Sequence, residues 1–166
     1  YPSLIVYIPS CRSSFDEKFR KGLEKYEIKG KVISQQDDSR LMPYIYSLTK
    51  LALCKSGTVN MELALYGIPQ IVGYRVSKIT AFIAKKILNF KVRFISPVNL
   101  LVKKLVIPEF VQKNFNTSKI FNKSCRLLDL KSEQAKIKKG YSLLKKELGD
   151  EGVVERAAKE IFNSII

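Results

Sequence analysis

The chain contains no histidine, and that absence alone removes whole classes of chemistry. Neither a Ser-His-Asp or Cys-His nucleophile system nor a His-ligated zinc site can be built from these residues. Cysteine is scarce. Cys11, Cys54 and Cys125 are odd in number, far apart and in no CxxC pairing, which argues against a disulfide framework and for a reducing compartment. No apolar run approaches the roughly 20 residues of a membrane span, and no signal-peptide pattern is present. Acidic residues are also few, 15 against 30 Lys and Arg, for a formal charge of +15. Such an excess attracts anions, whether nucleic acid, an anionic membrane surface or phosphorylated substrates. The chain opens on Tyr1 without an initiator Met and reaches an apolar run by Leu4, the look of a chain cut from something longer.

What is present is the composition of a folded chain with a core, 46% hydrophobic and 27% charged over 166 residues. That length suits one domain, or one half of a two-domain protein. Strand-like and helix-like segments alternate. Residues 4–8 form a continuous apolar, β-branched run closed by Pro9, which reads as a buried parallel strand. Ser13 or Ser14 is placed to cap a helix over 15–26, and Gly30 precedes a short strand at 31–34. Asp37, Asp38 or Ser39 opens a helix that turns Leu41, Ile45 and Leu48 inward. A strand at 51–54, a helix at 59–66, a strand at 70–74, a helix at 79–90 and a last short strand at 94–96 follow. From Ser118 the pattern is purely helical: 118–128, 132–148 and 152–165. The expectation is an α/β fold, a Rossmann-like parallel sheet with helices on both faces and a helical C-terminal tail. Residues 1–116 form the sheet domain, and 117–166 form a tail packed on it or on a partner.

Open parallel sheets bind ligands at the carboxyl ends of their strands. The best candidate is the turn Ser56, Gly57 and Thr58 between the strand at 51–54 and the next helix. Small residues let a phosphate approach the backbone, and the helix's first amides are unpaired and point at that ligand. Gly67 and Pro69 stop the helix. Glu62 lies one turn inside it, four residues after Thr58 on roughly the same face. A carboxylate touching a diphosphate would repel it, but one turn away it accepts hydrogen bonds from two neighbouring hydroxyls, as on a ribose; it also suits an ordinary solvated helix. Arg75, just past the next strand, matches phosphate geometry bidentately, or is a surface arginine.

Between Glu62 and Glu109 no acidic residue occurs, while Arg75, Lys78, Lys85, Lys86, Lys91, Arg93, Lys103 and Lys104 all fall there. Within that stretch Ile79, Phe82, Ile83, Ile87 and Phe90 make an apolar helix face. Such a helix either packs on the sheet or lies in a membrane interface, with Lys78, Lys85 and Lys86 as the membrane-facing candidates. The Lys-rich C-terminal helices also carry Glu133, Glu147, Asp150 and Glu151, the pattern of a solvated face. Aromatic residues fall at core spacings rather than as a stacking platform among basic ones, and no zinc finger, RNP-like strand or helix-turn-helix is visible.

The stretch from Ser56-Gly57-Thr58 through Glu62, Gly67-Ile68-Pro69 and Gly73-Tyr74-Arg75, continuing to Asn99-Leu100-Leu101 and Pro108-Glu109-Phe110, resembles the nucleotide-sugar-binding half of the lipid-A-disaccharide synthases. The resemblance is close over about residues 56–112. It implies one half of a GT-B fold and an inverting transfer of 2,3-diacylglucosamine from UDP-2,3-diacylglucosamine to diacylglucosamine 1-phosphate. It also implies that no metal or other cofactor is needed and that the work is done in the cytoplasm, peripherally at the anionic inner-membrane surface. Carried over by position, Ser56, Gly57 and Thr58 meet the UDP phosphates, Glu62 the ribose, and Arg75 and Asn99 surround the same pocket. Departures stand at Lys55, where the family has a small residue, at Val98 between Pro97 and Asn99, and at Val102-Lys103-Lys104, which replaces a glycine-containing continuation. In the two-domain enzymes the amino-terminal half carries the acceptor site and the acid/base carboxylate, so no catalytic residue is assigned to this chain. A companion half, or a homodimer, is the implied partner. The chain alone is expected to bind UDP weakly and to turn nothing over. The competing readings are another GT-B UDP-sugar transferase or epimerase, a non-catalytic scaffold, and a basic nucleic-acid-binding module. For the last, charge is the only support.

Overall fold

The computed structural model describes residues 1–34, 37, 40–77, 93–150 and 152–165. They form two compact units, Tyr1–Thr49 and Lys50–Ile166. Parallel strands flanked by helices, followed by a helical tail, give the α/β architecture that the alternation predicts.

The first unit runs β1 (Val6–Pro9), α1 (Ser13–Lys25), β2 (Gly30–Ile33) and α2 (Leu41–Leu48). β1 and β2 pair in parallel, with Val6 opposite Gly30 and Pro9 opposite Ile33. Val32, Ile33, Ile45 and Tyr46 are its buried apolar residues. Two expectations are corrected here. β1 is parallel but not buried: Val6 is 40% and Tyr7 37% exposed, and the unit's buried apolar residues lie on β2 and α2 instead. Ser13 and Ser14 do not cap α1 but lie in its first turn. Arg12 holds the cap position with no side-chain bond, and its carbonyl accepts from the Phe15 amide at 3.0 Å and the Ser10 hydroxyl at 2.9 Å. α2 begins at Leu41, with Pro43 in the first turn, where its missing N–H costs nothing. Asp37 accepts from the Ser34 amide at 2.7 Å before the helix; Asp38 and Ser39 lie outside the described residues.

The second unit contains β3 (Ala52–Lys55), α3 (Val59–Leu65), β4 (Gln70–Tyr74), α4 (Pro97–Val102), β5 (Glu109–Val111), α5 (Thr117–Asp129), α6 (Lys131–Leu148) and α7 (Val153–Ile165). Its sheet has the order β3-β4-β5, all parallel, with Lys55 opposite Gly73 and Val72 opposite Glu109. The strand expected at 94–96 is not formed. The third strand is β5 instead, and the Glu109 side chain at its start takes the Ile95 and Ser96 amides that a strand would have used, both at 2.9 Å. Ser96 then caps α4, accepting from the Asn99 amide at 3.2 Å with Pro97 at the first helical position. The helix expected over 79–90, with its apolar face and Lys78, Lys85 and Lys86, lies outside the described residues.

The core of this unit joins Ile71 and Val72 of β4 to Ala64, Val98, Ile107 and Leu127, and to Ile137, Tyr141 and Leu144 of α6. Each fully buried aliphatic side chain stabilises the fold by roughly 1.5–3 kcal/mol. Helix α6 is the hub, packing against α3, α4 and α5. Its inward stripe is Glu133, Ile137, Gly140, Tyr141 and Leu144, at helical spacing. Gly140 is required because a Cβ there would strike the Val106 side chain. Glu133 departs from the solvated face expected of the Lys-rich helices. It is 8% exposed, bonded to Lys123 at 2.6 Å and Lys136 at 3.1 Å, with Arg126 at 3.4 Å. The ammonium groups of Lys123 and Lys136 hold its carboxyl down to about 2. On α7, Val154, Ile161 and Phe162 are exposed.

Two outcomes follow from this packing. Gly140→Ala gains roughly 1 kcal/mol of helix propensity but overpacks against Val106, which typically costs about 1–3 kcal/mol. Thermal denaturation is expected to show a lower melting temperature for Gly140→Ala but not for the exposed Ser142→Ala; an unchanged value for Gly140→Ala would mean that α6 slides free of Val106. The lowered pKa of Glu133 stabilises the fold above its ordinary value of 4.5 and is lost as pH falls toward about 2. Melting temperature measured down that window is expected to fall more steeply for the wild type than for Glu133→Gln, and parallel slopes would contradict the assignment.

Candidate functional site

Parallel pairing brings the carboxyl ends of β3 and β4 side by side. With Lys55 opposite Gly73, the turn Ser56, Gly57 and Thr58 leaves β3 next to Tyr74 and Arg75 at the end of β4. The Lys55 ammonium lies over the Tyr74 ring, 5.9 Å from its centre, a cation facing an aromatic surface. Gly73 is needed at this edge, since a Cβ would run into the Phe115 ring.

The turn's amides divide into two sets. Asn60 N–H donates to Gly57 O at 3.1 Å, and the amides of Met61 and Glu62 donate to Thr58 O at 3.0 and 3.3 Å. Gly57 N–H donates to the Asn60 Oδ1 at 3.0 Å. The amides of Thr58 and Val59 have no acceptor among the described residues. The expectation that the helix's first amides are all unpaired is therefore narrowed to these two. Thr58 occupies the cap position in helical conformation and makes no side-chain cap bond, so its hydroxyl is not spent on the helix. The Ser56 hydroxyl donates to Ile95 O at 2.5 Å, which fixes its side chain and leaves its oxygen lone pairs. Thr58, Glu62 and Arg75 are exposed.

Asn99 is placed differently from the expectation. It is fully buried, and both ends of its amide are engaged within the fold. Its Nδ2 donates to Ile107 O and Glu109 Oε1, both at 2.8 Å, and its Oδ1 accepts from the amides of Val106 and Ile107 at 2.8 and 3.0 Å. Nothing is left for a ligand, so Asn99 builds the 103–109 connection instead of lining a pocket. The inserted Val98 is buried in the core beside it. Lys103 ends α4 in the left-handed conformation with φ 56°, a geometry that glycine usually supplies. Glu109 received no role from its sequence position, yet it joins the Ile95–Ser96 segment, and through Ile95 the Ser56 hydroxyl, to Asn99. Its signal was available: it is the lone acid between Glu62 and Asp129, and an isolated acid in so basic a stretch calls for buried partners.

Beneath the turn, Asn60 and Gln70 are fully buried and bonded to each other, to Cys54 and to Tyr141. Burial pushes the Cys54 thiol up to about 11, keeping it neutral and inert, and pushes the Tyr141 phenol above its usual range. In the first unit a groove of about 850 Å³ along α1 and β2, lined by residues including Asp16, Arg20, Glu24, Lys31 and Ser34, contains none of the expected site residues. Among the described residues no group of three or more Cys, Asp or Glu is arranged to hold a metal ion, and no helix is long and apolar enough to cross a membrane.

The sequence matches a family model and several curated relatives. The family model described as lipid-A-disaccharide synthetase matches residues 1–166. The chain is 44% identical over 161 residues to the lipid-A-disaccharide synthase of Prochlorococcus marinus (strain MIT 9313), covering 97% of this chain and 41% of that protein. It is 35% identical to the lipid-A-disaccharide synthase of Gloeothece citriformis (strain PCC 7424), over 99% of this chain and 41% of that protein. Against that of Synechocystis sp. (strain ATCC 27184 / PCC 6803 / Kazusa) the identity is 31%, over 97% and 40%. The chain thus spans about two-fifths of the length of these relatives. With the family model matched from the first residue to the last, the chain belongs to the lipid-A-disaccharide synthetase family.

Proposed function

We propose that this chain is the nucleotide-sugar-binding part of a lipid-A-disaccharide synthase, one half of a GT-B architecture. It holds UDP-2,3-diacylglucosamine while the sugar passes, with inversion, to diacylglucosamine 1-phosphate, and it acts in lipid A biosynthesis. The observation that carries the reading is a family match over the whole chain, combined with a small-residue turn at a strand's carboxyl end whose Thr58 and Val59 amides have no acceptor among the described residues.

In this reading the diphosphate sits on the Ser56–Gly57–Thr58 backbone, with the free Thr58 and Val59 amides and the Thr58 hydroxyl as donors. The Arg75 guanidinium takes a phosphate oxygen from the adjacent strand end. Negative charge develops on UDP as the bond to the sugar breaks, so donors aimed at the phosphates bind the departing group more tightly than the intact donor, which is what accelerates the step. Glu62, one turn along α3, is far enough from the phosphates to avoid repulsion and accepts from the two ribose hydroxyls. Asn99 is a scaffold residue and not a contact. The acceptor site and the acid/base carboxylate belong to the part of the relatives that this chain does not span. Both lipid substrates are anionic, and a charge of +15 favours their capture at an anionic inner-membrane surface, with Lys78, Lys85 and Lys86 facing it.

Isothermal titration of the 166-residue chain with UDP and with uridine tests the reading. The wild type binds UDP weakly and transfers no sugar. Glu62→Ala weakens UDP and uridine alike, by roughly 100-fold or more for two lost bonds to a charged acceptor, whereas Arg75→Ala weakens UDP and leaves uridine unchanged. A wild type indifferent to UDP, or a Glu62→Ala chain that binds it equally well, overturns the proposal.

A further inference from the structure

Under the turn, a set of buried hydrogen bonds runs in one direction from α6 to Gly57. It starts at Ile68 O, a carbonyl that can only accept. The Tyr141 hydroxyl donates to it at 2.8 Å, so the Tyr141 oxygen is left to accept, which it does from Gln70 Nε2 at 3.0 Å. The same Nε2 donates to Asn60 O at 2.9 Å. With its nitrogen committed to two acceptors, Gln70 presents Oε1 to Asn60 and receives Asn60 Nδ2 at 3.1 Å. Asn60 Nδ2 also faces Lys55 O at 3.3 Å and Cys54 Sγ at 3.1 Å, so its opposite end, Oδ1, is the one turned to Gly57 N–H. Each group's donor or acceptor character dictates the orientation of the next. Asn60 and Gln70 are fully buried and Tyr141 is 3% exposed, so no solvent is at hand to replace a lost partner.

We propose that Tyr141 is a positioning residue for the Ser56–Gly57–Thr58 turn, acting through Gln70 and Asn60 to hold the Gly57 amide inward while the Thr58 and Val59 amides face outward. The turn's backbone is then preorganised before any ligand arrives, at a site contacted by neither Tyr141 nor Gln70. Tyr141 sits 84 residues beyond Gly57 in the chain, so helix α6 supports the site as well as the core. This inference rests on the reading of the turn as the donor's diphosphate seat.

Amide hydrogen exchange and UDP titration on the 166-residue chain test it with three variants. Tyr141→Phe keeps the ring and removes the hydroxyl, leaving one Gln70 hydrogen without an acceptor; Asn60→Ala removes the acceptor of the Gly57 amide; Ile137→Val loosens α6 packing without touching the set. In Tyr141→Phe the Gly57 amide is expected to exchange about fivefold faster than the loss of global stability accounts for, and UDP affinity to fall about fivefold, the change of one net hydrogen bond. Asn60→Ala is expected to exceed both effects, while Ile137→Val lowers the melting temperature with neither. Tyr141→Phe with wild-type UDP affinity, or with Gly57 exchange no faster than in Ile137→Val, overturns the positioning role. Selective Gly57 acceleration in a chain that binds no UDP upholds the coupling and overturns the donor-site reading. Should Asn60→Ala fail to fold, the isosteric Tyr141→Phe decides alone.

Discussion

The Gln70 side-chain amide is the interaction on which the second unit's architecture turns. It is fully buried at the start of β4; its Nε2 donates both to the Asn60 carbonyl of α3 and to the Tyr141 hydroxyl of α6, and its Oε1 accepts from Asn60 Nδ2. A buried amide without partners costs about 1–3 kcal/mol per orphaned group, so this sheet, helix and tail tolerate only relative placements that satisfy it. Apolar packing around Ile71, Val72 and Leu144 supplies most of the free energy but accepts small slides; the amide does not. The same bonds that register α6 on the sheet therefore also determine which backbone amides of the turn remain available.

A second polar cluster does comparable work at the other edge. Glu109 receives the Ile95 and Ser96 amides and the Asn99 side chain, so a carboxylate ties together the segments on either side of α4. Its location within a stretch otherwise containing only basic residues follows from its bonds. A carboxylate that accepts three N–H groups is held in place by charge-assisted hydrogen bonds. Glu133 solves the analogous problem between α5 and α6 with lysines instead of amides. In a chain of net charge +15, the half-buried Glu109 and the buried Glu133 serve cohesion, while the exposed Glu62 sits by the turn.

Family membership and local geometry support each other in a limited region. The motif residues that resemble a nucleotide-sugar site occupy the carboxyl ends of β3 and β4, where open parallel sheets place their ligands. Beyond those strand ends, packing and backbone conformation decide: Val98 joins the core, and Lys103 adopts left-handed geometry. Asn99 shows the opposite relation, a motif residue whose amide is consumed entirely by its own fold.

Much was legible from residue order alone. The alternation of strands and helices, the three C-terminal helices, the Ser56–Thr58 turn and the helical position of Glu62 all follow from local periodicity, capping and turn chemistry, which act over a few residues. What the order of residues could not decide involves partners distant in sequence. Whether β1 is buried depends on what packs over its faces, and the loss of a strand at 94–96 depends on a carboxylate at position 109. The inward turn of Asn99 and the selection of the Thr58 and Val59 amides depend likewise on Ile107 and on a tyrosine of α6. A side chain's hydrogen-bonding partner is set by which buried atoms lack solvent, and only the folded arrangement determines that.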